Sequence, residues 1–224
     1  MTPTVDALFI GELGPLGVRK VPSGIDKQPV RGPQAVTRLG LCGDHQGDTR
    51  HHGGPEKALH HYPRDHYAAW RRDGIEAAAP GFGENISTLG MTEAGICIGD
   101  IYQLGSSVLQ VSQGRQPCWR LNARFARDDM AYRVQKSGRT GWYYRVLEEG
   151  TVSPGDPLVL QHRPRPQWPL ARIIELLYTR TLDMETLAAL ADLPELAASW
   201  RELAARRIAT QAVESWDRRL NDHG

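Results

Sequence analysis

The chain has 224 residues, 27 Lys and Arg against 26 Asp and Glu, and three cysteines. That length can bury a sizeable core as one large domain or one domain with an appendage, and a formal charge of +1 gives no global reason for nucleic-acid or membrane binding. Mean hydropathy is −0.46, no run is long enough to span a bilayer, and three widely spaced cysteines do not make a disulfide framework. The opening MTPTVDALFIGELG lacks the basic and long apolar parts of a signal peptide, so a soluble, cytoplasmic protein is expected.

In chain order, VDALFIG (5–11) reads as a strand, and GIDKQPV (24–30) as a turn that carries Lys27. DTRHHGGPEKALHHYPRDHY (48–67) holds His51, His52, His60, His61 and His66. Their spacing does not fit a zinc site. A helix is expected over 55–73, with Pro55 near its first turn and a break or restart at Pro63. Gly53-Gly54 would let backbone amides approach a ligand just before it. GFGEN (81–85) brings a carboxylate and an amide, Glu84 and Asn85, beside tight glycine backbone, and an ordinary turn before a strand at 86–88 explains it equally well. ICIGDIYQLGSSVLQVSQ (96–113) gives two or three strands, a helix falls near 126–137, and PGDPLVLQH (154–162) is a turn followed by a strand.

Charge is unevenly placed. From 113 to 145 there are eight basic residues (Arg115, Arg120, Arg124, Arg127, Arg133, Lys136, Arg139, Arg145) against two acids, a balance that suits an anion or a solvated basic face. Inside that stretch, SQGRQPCWRLNARF sets Cys118 after Pro117 with arginines on both sides. Arg115 and Arg120 would stabilise a thiolate if the loop folds back, although a buried structural cysteine remains the alternative. Cys42, in GLCGD, and Cys97, in GICIG, read as packing residues.

QHRPRPQWP (161–169) reads as an extended linker. Beyond it apolar residues fall at helical spacing, Asp192-Leu193-Pro194-Glu195 resembles a capping box, and residues 168–224 read as a bundle of about three helices with Trp200 and Trp216 in its core. Such a tail could also cap the mouth of the preceding domain. Basic and acidic residues after 162 number nine each, which speaks against a DNA-reading helix pair and against nucleic acid as a partner.

Taken in order, GIDKQPVRGP, GLCGDHQGDTRHHGGPEKALHHYPRDHY, GFGENISTLGMTEAGICIGDIYQLG, VSQGRQPCWRLNARF and SGRTGWYYRVLEEGTVSPGDPLVL resemble the MOSC domain, named for the C-terminal domain of molybdenum cofactor sulfurase. The likeness is nearest to the YiiM branch, the 6-N-hydroxylaminopurine resistance proteins, and the tail resembles that branch's C-terminal three-helix domain. The resemblance implies a mainly β fold, a closed PK-like barrel with small helical insertions over 1–162, followed by three helices over 163–224. It implies molybdenum cofactor (molybdopterin), not pyridoxal phosphate, with Cys118 as the metal's thiolate ligand. Lys27, Gly83, Glu84, Asn85, Gln113, Arg115, Arg120 and Asn122 would bind the cofactor, and Glu84 and His52 would be the proton donors of the reaction beside Cys118. His51 and His60 look unusual beside the family pattern. The implied activity is a detoxifying oxidoreductase that reduces N-hydroxylated purines or other small N-oxygenated substrates. The chain shows neither an iron–sulfur cysteine cluster nor a dinucleotide fingerprint, so a separate electron-donating reductase is expected. A homodimer is compatible with the chain. Two other readings fit the same loop: a sulfur carrier with a Cys118 persulfide, and a non-catalytic module that binds a phosphorylated ligand.

Overall fold

The computed structural model describes residues 2–221, apart from the side chains of Arg50 and His51, and the sequence reading of His51 therefore lies outside the described residues. Strands β1 (Ala7–Ile10), β2 (Gly14–Leu16), β3 (Val21–Ser23), β4 (Gln28–Val30), β5 (Gln34–Thr37) and β6 (Gly40–Leu41) come first. Helix α1 (Thr49–His52) and a 3-10 turn at Pro55–Lys57 lead into β7 (Leu59–His61), α2 (Asp65–Arg72) and β8 (Ile86–Ser87). The hairpin of β9 (Ile101–Leu104) and β10 (Ser107–Gly114) precedes α3 (Arg120–Phe125) and α4 (Met130–Ser137). After them come β11 (Trp142–Glu148), β12 (Gly150–Val152) and β13 (Leu158–His162), then α5 (Leu170–Tyr178), α6 (Met184–Ala191), α7 (Ala198–Thr210) and α8 (Asp217–Leu220).

Eight strands pair in the order β13-β9-β10-β11-β7-β8-β1-β4; β12-β5-β6 forms a second sheet and β2-β3 a hairpin. The large sheet is mixed, with β7 and β8 parallel, and it curls into a half-barrel. The chain before β13, at one end of the sheet, meets the chain before β1, the strand next to the other end. Val5 N donates to Asp156 O (2.9 Å), Gly155 N to Val5 O (2.8 Å) and Leu158 N to Pro3 O (2.8 Å). This tie is an isolated bridge, short of the continuous ladder that a closed barrel requires.

Period-two alternation turns Leu109 and Val111 of β10 and Trp142, Tyr144 and Val146 of β11 inward. Helical spacing turns Ile173, Ile174 and Leu177 of α5 and Trp200 and Leu203 of α7 toward the same core, so sheet and tail share one apolar cluster. Gly114 makes the docking close, because a Cβ there would stand 2.8 Å from the Trp200 ring. Full burial of such side chains contributes roughly 2–3 kcal/mol each.

Several sequence expectations are corrected. The 55–73 segment is no single helix, because Leu59–His61 pairs with β11 and β8 before α2 begins at Asp65. The region 96–113 gives two strands, within the expected two or three, and α3 stands where the sequence gives no helix. Asp192 closes α6 and α7 starts only at Ala198; the capping carboxylate is Asp183, which accepts from Thr186 N at 3.0 Å. The 161–169 segment is pinned to the body, with Trp168 buried and Arg163 and Arg165 paired to Asp100 and Glu195. Trp200 is in the core, whereas Trp216 packs on a second cluster around Leu121, Met130 and Val134. Cys97 is buried but Cys42 is exposed, so packing does not explain Cys42. No helix among the described residues is long and apolar enough to cross a membrane.

Candidate active site

Strand β10 delivers the chain to the site. Its last three residues are buried, and residues 115–119 then turn across the sheet end before α3 starts at Arg120. Arg115 N donates to Gly141 O (3.1 Å), and its guanidinium donates to Phe82 O (2.6 Å). The Cys118 side chain is 7% exposed, with Sγ 3.7 Å from His52 Nε2. Arg120 Nη1 lies 3.0 Å from the same nitrogen. An arginine can only donate, so His52 Nε2 is the acceptor and carries no proton.

Lys27, His52, Gly83, Asn85, Arg115, Cys118 and Arg120 line one cleft, so the structure brings together most of the residues that the sequence pointed to. The cleft is small, about 70 Å³, and opens to solvent. Gly83 sits at φ 72°, where a Cβ would also strike Ile25, so the GFGEN turn requires glycine there. Three candidates are not on the cleft wall. Glu84 lies behind it and accepts from Tyr67 Oη and from Phe82 N (3.1 Å). Gln113 is buried and accepts from Ser199 Oγ of α7 (3.4 Å). Asn122 donates to Leu220 O (2.8 Å) and accepts from Ala131 N (2.7 Å), tying α3 to α4 and to the C-terminal segment.

Sequence reasoning missed the residue that organises the far wall. Asp44 accepts from Lys27 Nζ, Gly11 N (2.8 Å), Asn85 Nδ2 (2.9 Å) and Gln46 Nε2 (3.1 Å). Asp48, Lys57, His60 and Tyr143 also line the cleft. The available signal was the pair of Gly-Asp steps at 43–44 and 47–48, read only as part of a longer motif. His60 is 4% exposed, and its Nε2 has no hydrogen-bond partner among the described residues. No cluster of His, Cys, Asp or Glu able to hold a metal occurs among the described residues, and the side chain of His51 lies outside them.

Burial governs the protonation of the cleft. It is the main cause that lowers Lys27, with Asp44 pulling the other way. It takes His52 down to about 3, helped by the charges of Arg120 and Arg115, so His52 is neutral at ordinary pH. His60 is driven well below its usual value by burial and then by Arg115. Burial lifts Glu84 to about 7 against the opposing bonds from Tyr67 and the backbone. Lys27, Lys57, Arg115 and Arg120 face the cleft with only Asp44 and Asp48 as carboxylates. The arrangement can hold an anion beside a soft sulfur donor.

A buried thiol in a cationic cleft, at the end of a curled mixed sheet with a helical tail, defines the class. Residues 48–159 match the MOSC domain, and residues 168–211 match the YiiM-like, 3-alpha helix domain. The chain is 39% identical over 203 residues to protein YiiM of Escherichia coli K12, covering 89% of this chain and 90% of that one. It is 37% identical over 180 residues to a protein of Gibberella moniliformis named "Reductase", covering 78% of this chain but 32% of that longer protein. The crystal structure of YiiM from Geobacillus stearothermophilus superposes with a TM-score of 0.79 at 36% identity, over 92% of this chain and 99% of that one. The structure of YiiM from Escherichia coli gives 0.80 at 35%, over 94% and 100%. The chain belongs to the MOSC-domain family, in its YiiM branch.

Proposed function

We propose that the chain is a molybdenum cofactor-dependent reductase of N-hydroxylated purines and related small hydroxylamines, with Cys118 as the protein's ligand to the metal. The carrying observation is the buried Cys118 sulfur set in one cleft with Lys27, Lys57, Arg115 and Arg120. That donor set fits the group: a thiolate suits a thiophilic metal, and the cations suit the cofactor's phosphate.

Bound there, the cofactor would supply the two-electron reduction that converts an N–OH group and two protons to N–H and water. Arg115 and Arg120 would hold the anionic end, and Asn85, fixed by Asp44 and by Phe9 O, would present a fixed amide beside Lys27. His52, neutral and accepting from Arg120, would orient that guanidinium beside the sulfur. Glu84, poised near 7, would hold a proton behind the cleft wall at the working pH. The electrons would come from a separate reductase. The "Reductase" name of the longer fungal relative is consistent with redox work in this family.

The test is to purify the protein from cells that make the cofactor and to measure molybdenum, pterin and 6-N-hydroxylaminopurine reduction. The parent should retain metal and pterin, and Cys118→Ala should lose both retention and turnover by more than about a hundredfold. Undiminished turnover by Cys118→Ala would overturn the reading. A labile extra sulfur on Cys118 in metal-free protein would favour the sulfur carrier.

A further inference from the structure

The loop that carries Cys118 is held from behind by the C-terminal end of the chain. Arg219 Nη1 donates to Pro117 O, and Trp119 N donates back to Arg219 O (2.8 Å). Arg219 Nη2 donates to Gln135 Oε1 of α4 (2.5 Å), and the guanidinium lies 5.9 Å from the centre of the Tyr178 ring. Tyr178 Oη in turn donates to Arg115 O (2.7 Å). The carbonyls of Arg115 and Pro117 are therefore gripped on one side of the loop, while the Arg115 and Cys118 side chains face the cleft. Asn122 Nδ2, at the start of α3, donates to Leu220 O (2.8 Å) and closes the clasp.

The strap has its own anchor. Arg207 of α7 is 1% exposed and donates to Leu176 O (3.2 Å) and Leu177 O (2.7 Å) at the end of α5, where a cation meets the negative end of the helix. It also pairs with Glu214 (2.8 Å), which accepts from Trp216 Nε1 (2.9 Å). Leu220 is buried in the second apolar cluster. A four-residue helix such as α8 has no stability of its own, so these contacts hold it.

We propose that residues 214–220 are a strap that positions the thiol loop, and that Arg219 is its positioning residue. The proposal deepens the reading of Cys118 as a metal ligand and rests on it only for what the positioned sulfur does. A ligand sulfur fixed by a short loop needs its backbone fixed first. A planar guanidinium does this with two donors at a set angle, to Pro117 O and to Gln135, whereas an ammonium is a single point. The strap also gives the helical tail a part in the site without any tail residue lining the cleft.

The experiment uses the full chain without cofactor and compares the parent with Arg219→Ala, Arg219→Lys and Tyr178→Phe. Iodoacetamide modification is followed by mass spectrometry, which reads Cys118, Cys97 and Cys42 on separate peptides. Amide exchange is followed over 116–121 and over β9–β11. Arg219→Ala should raise Cys118 modification and loop exchange by about tenfold, with Cys97 and the strands unchanged. Arg219→Lys should recover only part of that difference. Unaltered Cys118 reactivity and loop exchange in both Arg219→Ala and Tyr178→Phe would overturn the strap, as would a proportional rise at Cys97 and in the strands. Should Arg219→Ala fail to fold, Arg219→Lys decides alone: a faster Cys118 supports the strap and an unchanged one overturns it. Because none of these readouts involves molybdenum, the strap and the cofactor reading can fail separately.

Discussion

Cys97 and Cys118 are buried to nearly the same degree, 4% and 7% exposed, but the charges around them are balanced differently. At Cys97 the near arginine is already used. Arg163 donates to Asp100 through Nε (2.8 Å) and Nη2 (2.7 Å), and Asp100 also accepts from Cys97 N (2.9 Å). Burial therefore dominates and pushes the Cys97 thiol up. At Cys118 the cations outnumber the carboxylates, and the contact between Arg120 and Asp48 is a loose 3.7 Å. Burial alone does not separate the two cysteines; the excess of positive charge lining the cleft at Cys118 does.

The contrast predicts where stability and function separate. Asp100 is fully buried and accepts from Cys97 N and Tyr102 Oη besides closing the pair with Arg163. Asp100→Ala should cost about 3 kcal/mol, read as a lower urea midpoint at unchanged slope, with molybdenum retention unaffected. Arg163 is a third exposed and can regain water, which keeps the cost below that of a wholly buried pair. A loss under about 1 kcal/mol, or a loss of metal retention, would show that the Cys97 turn is not the purely structural one of the two.

The second prediction concerns the carboxylate behind the cleft. Glu84 is raised from 4.5 to about 7 in the fold, so its contribution to stability is full below pH 4.5 and is lost as pH rises through 7. Glu84→Gln cannot titrate. Between pH 4 and pH 8 the stability of the variant relative to the parent should therefore improve by about 3 kcal/mol. His52 and His61 are held down at about 3 and act in the opposite sense below 6.5, but they do so in both proteins and cancel in the difference. A flat difference would mean that Glu84 is ionised throughout, and the positive excess of the Cys118 side would then be smaller than the lining residues indicate.

How much of this was legible depended on whether local pattern or long-range packing decided the outcome. The strands of 101–114 and the helices of the tail follow from alternation and helical spacing, and the cleft residues followed from motif order. Leu59–His61 reads as helix locally and becomes a strand only because β11 and β8 flank it. Asn122 lies on a motif position, yet its bonds go to Leu220 and Ala131, so only the fold shows it as a brace. Asp44 lies 17 residues from Lys27 and 41 from Asn85, partnerships that no local spacing announces. Arg219, 102 residues from Pro117, was beyond any reading of the loop alone.

The smallest expected effect tests the contrast most directly. Arg120 is the second cause, after burial, that holds His52 down, and its guanidinium lies 3.0 Å from His52 Nε2. Removing a neighbouring positive charge makes protonation of the imidazole easier, so Arg120→Ala should move the His52 titration upward by about one unit, followed by NMR of its ring proton. Because the residue stays below its unfolded value, the stability that neutral His52 lends above pH 6.5 would still be lost on acidification, but less of it. If His52 does not move, Asp48 already cancels Arg120 as Asp100 cancels Arg163. The positive excess at Cys118 would then come from Arg115 and the lysines of the cleft, with no part played by Arg120.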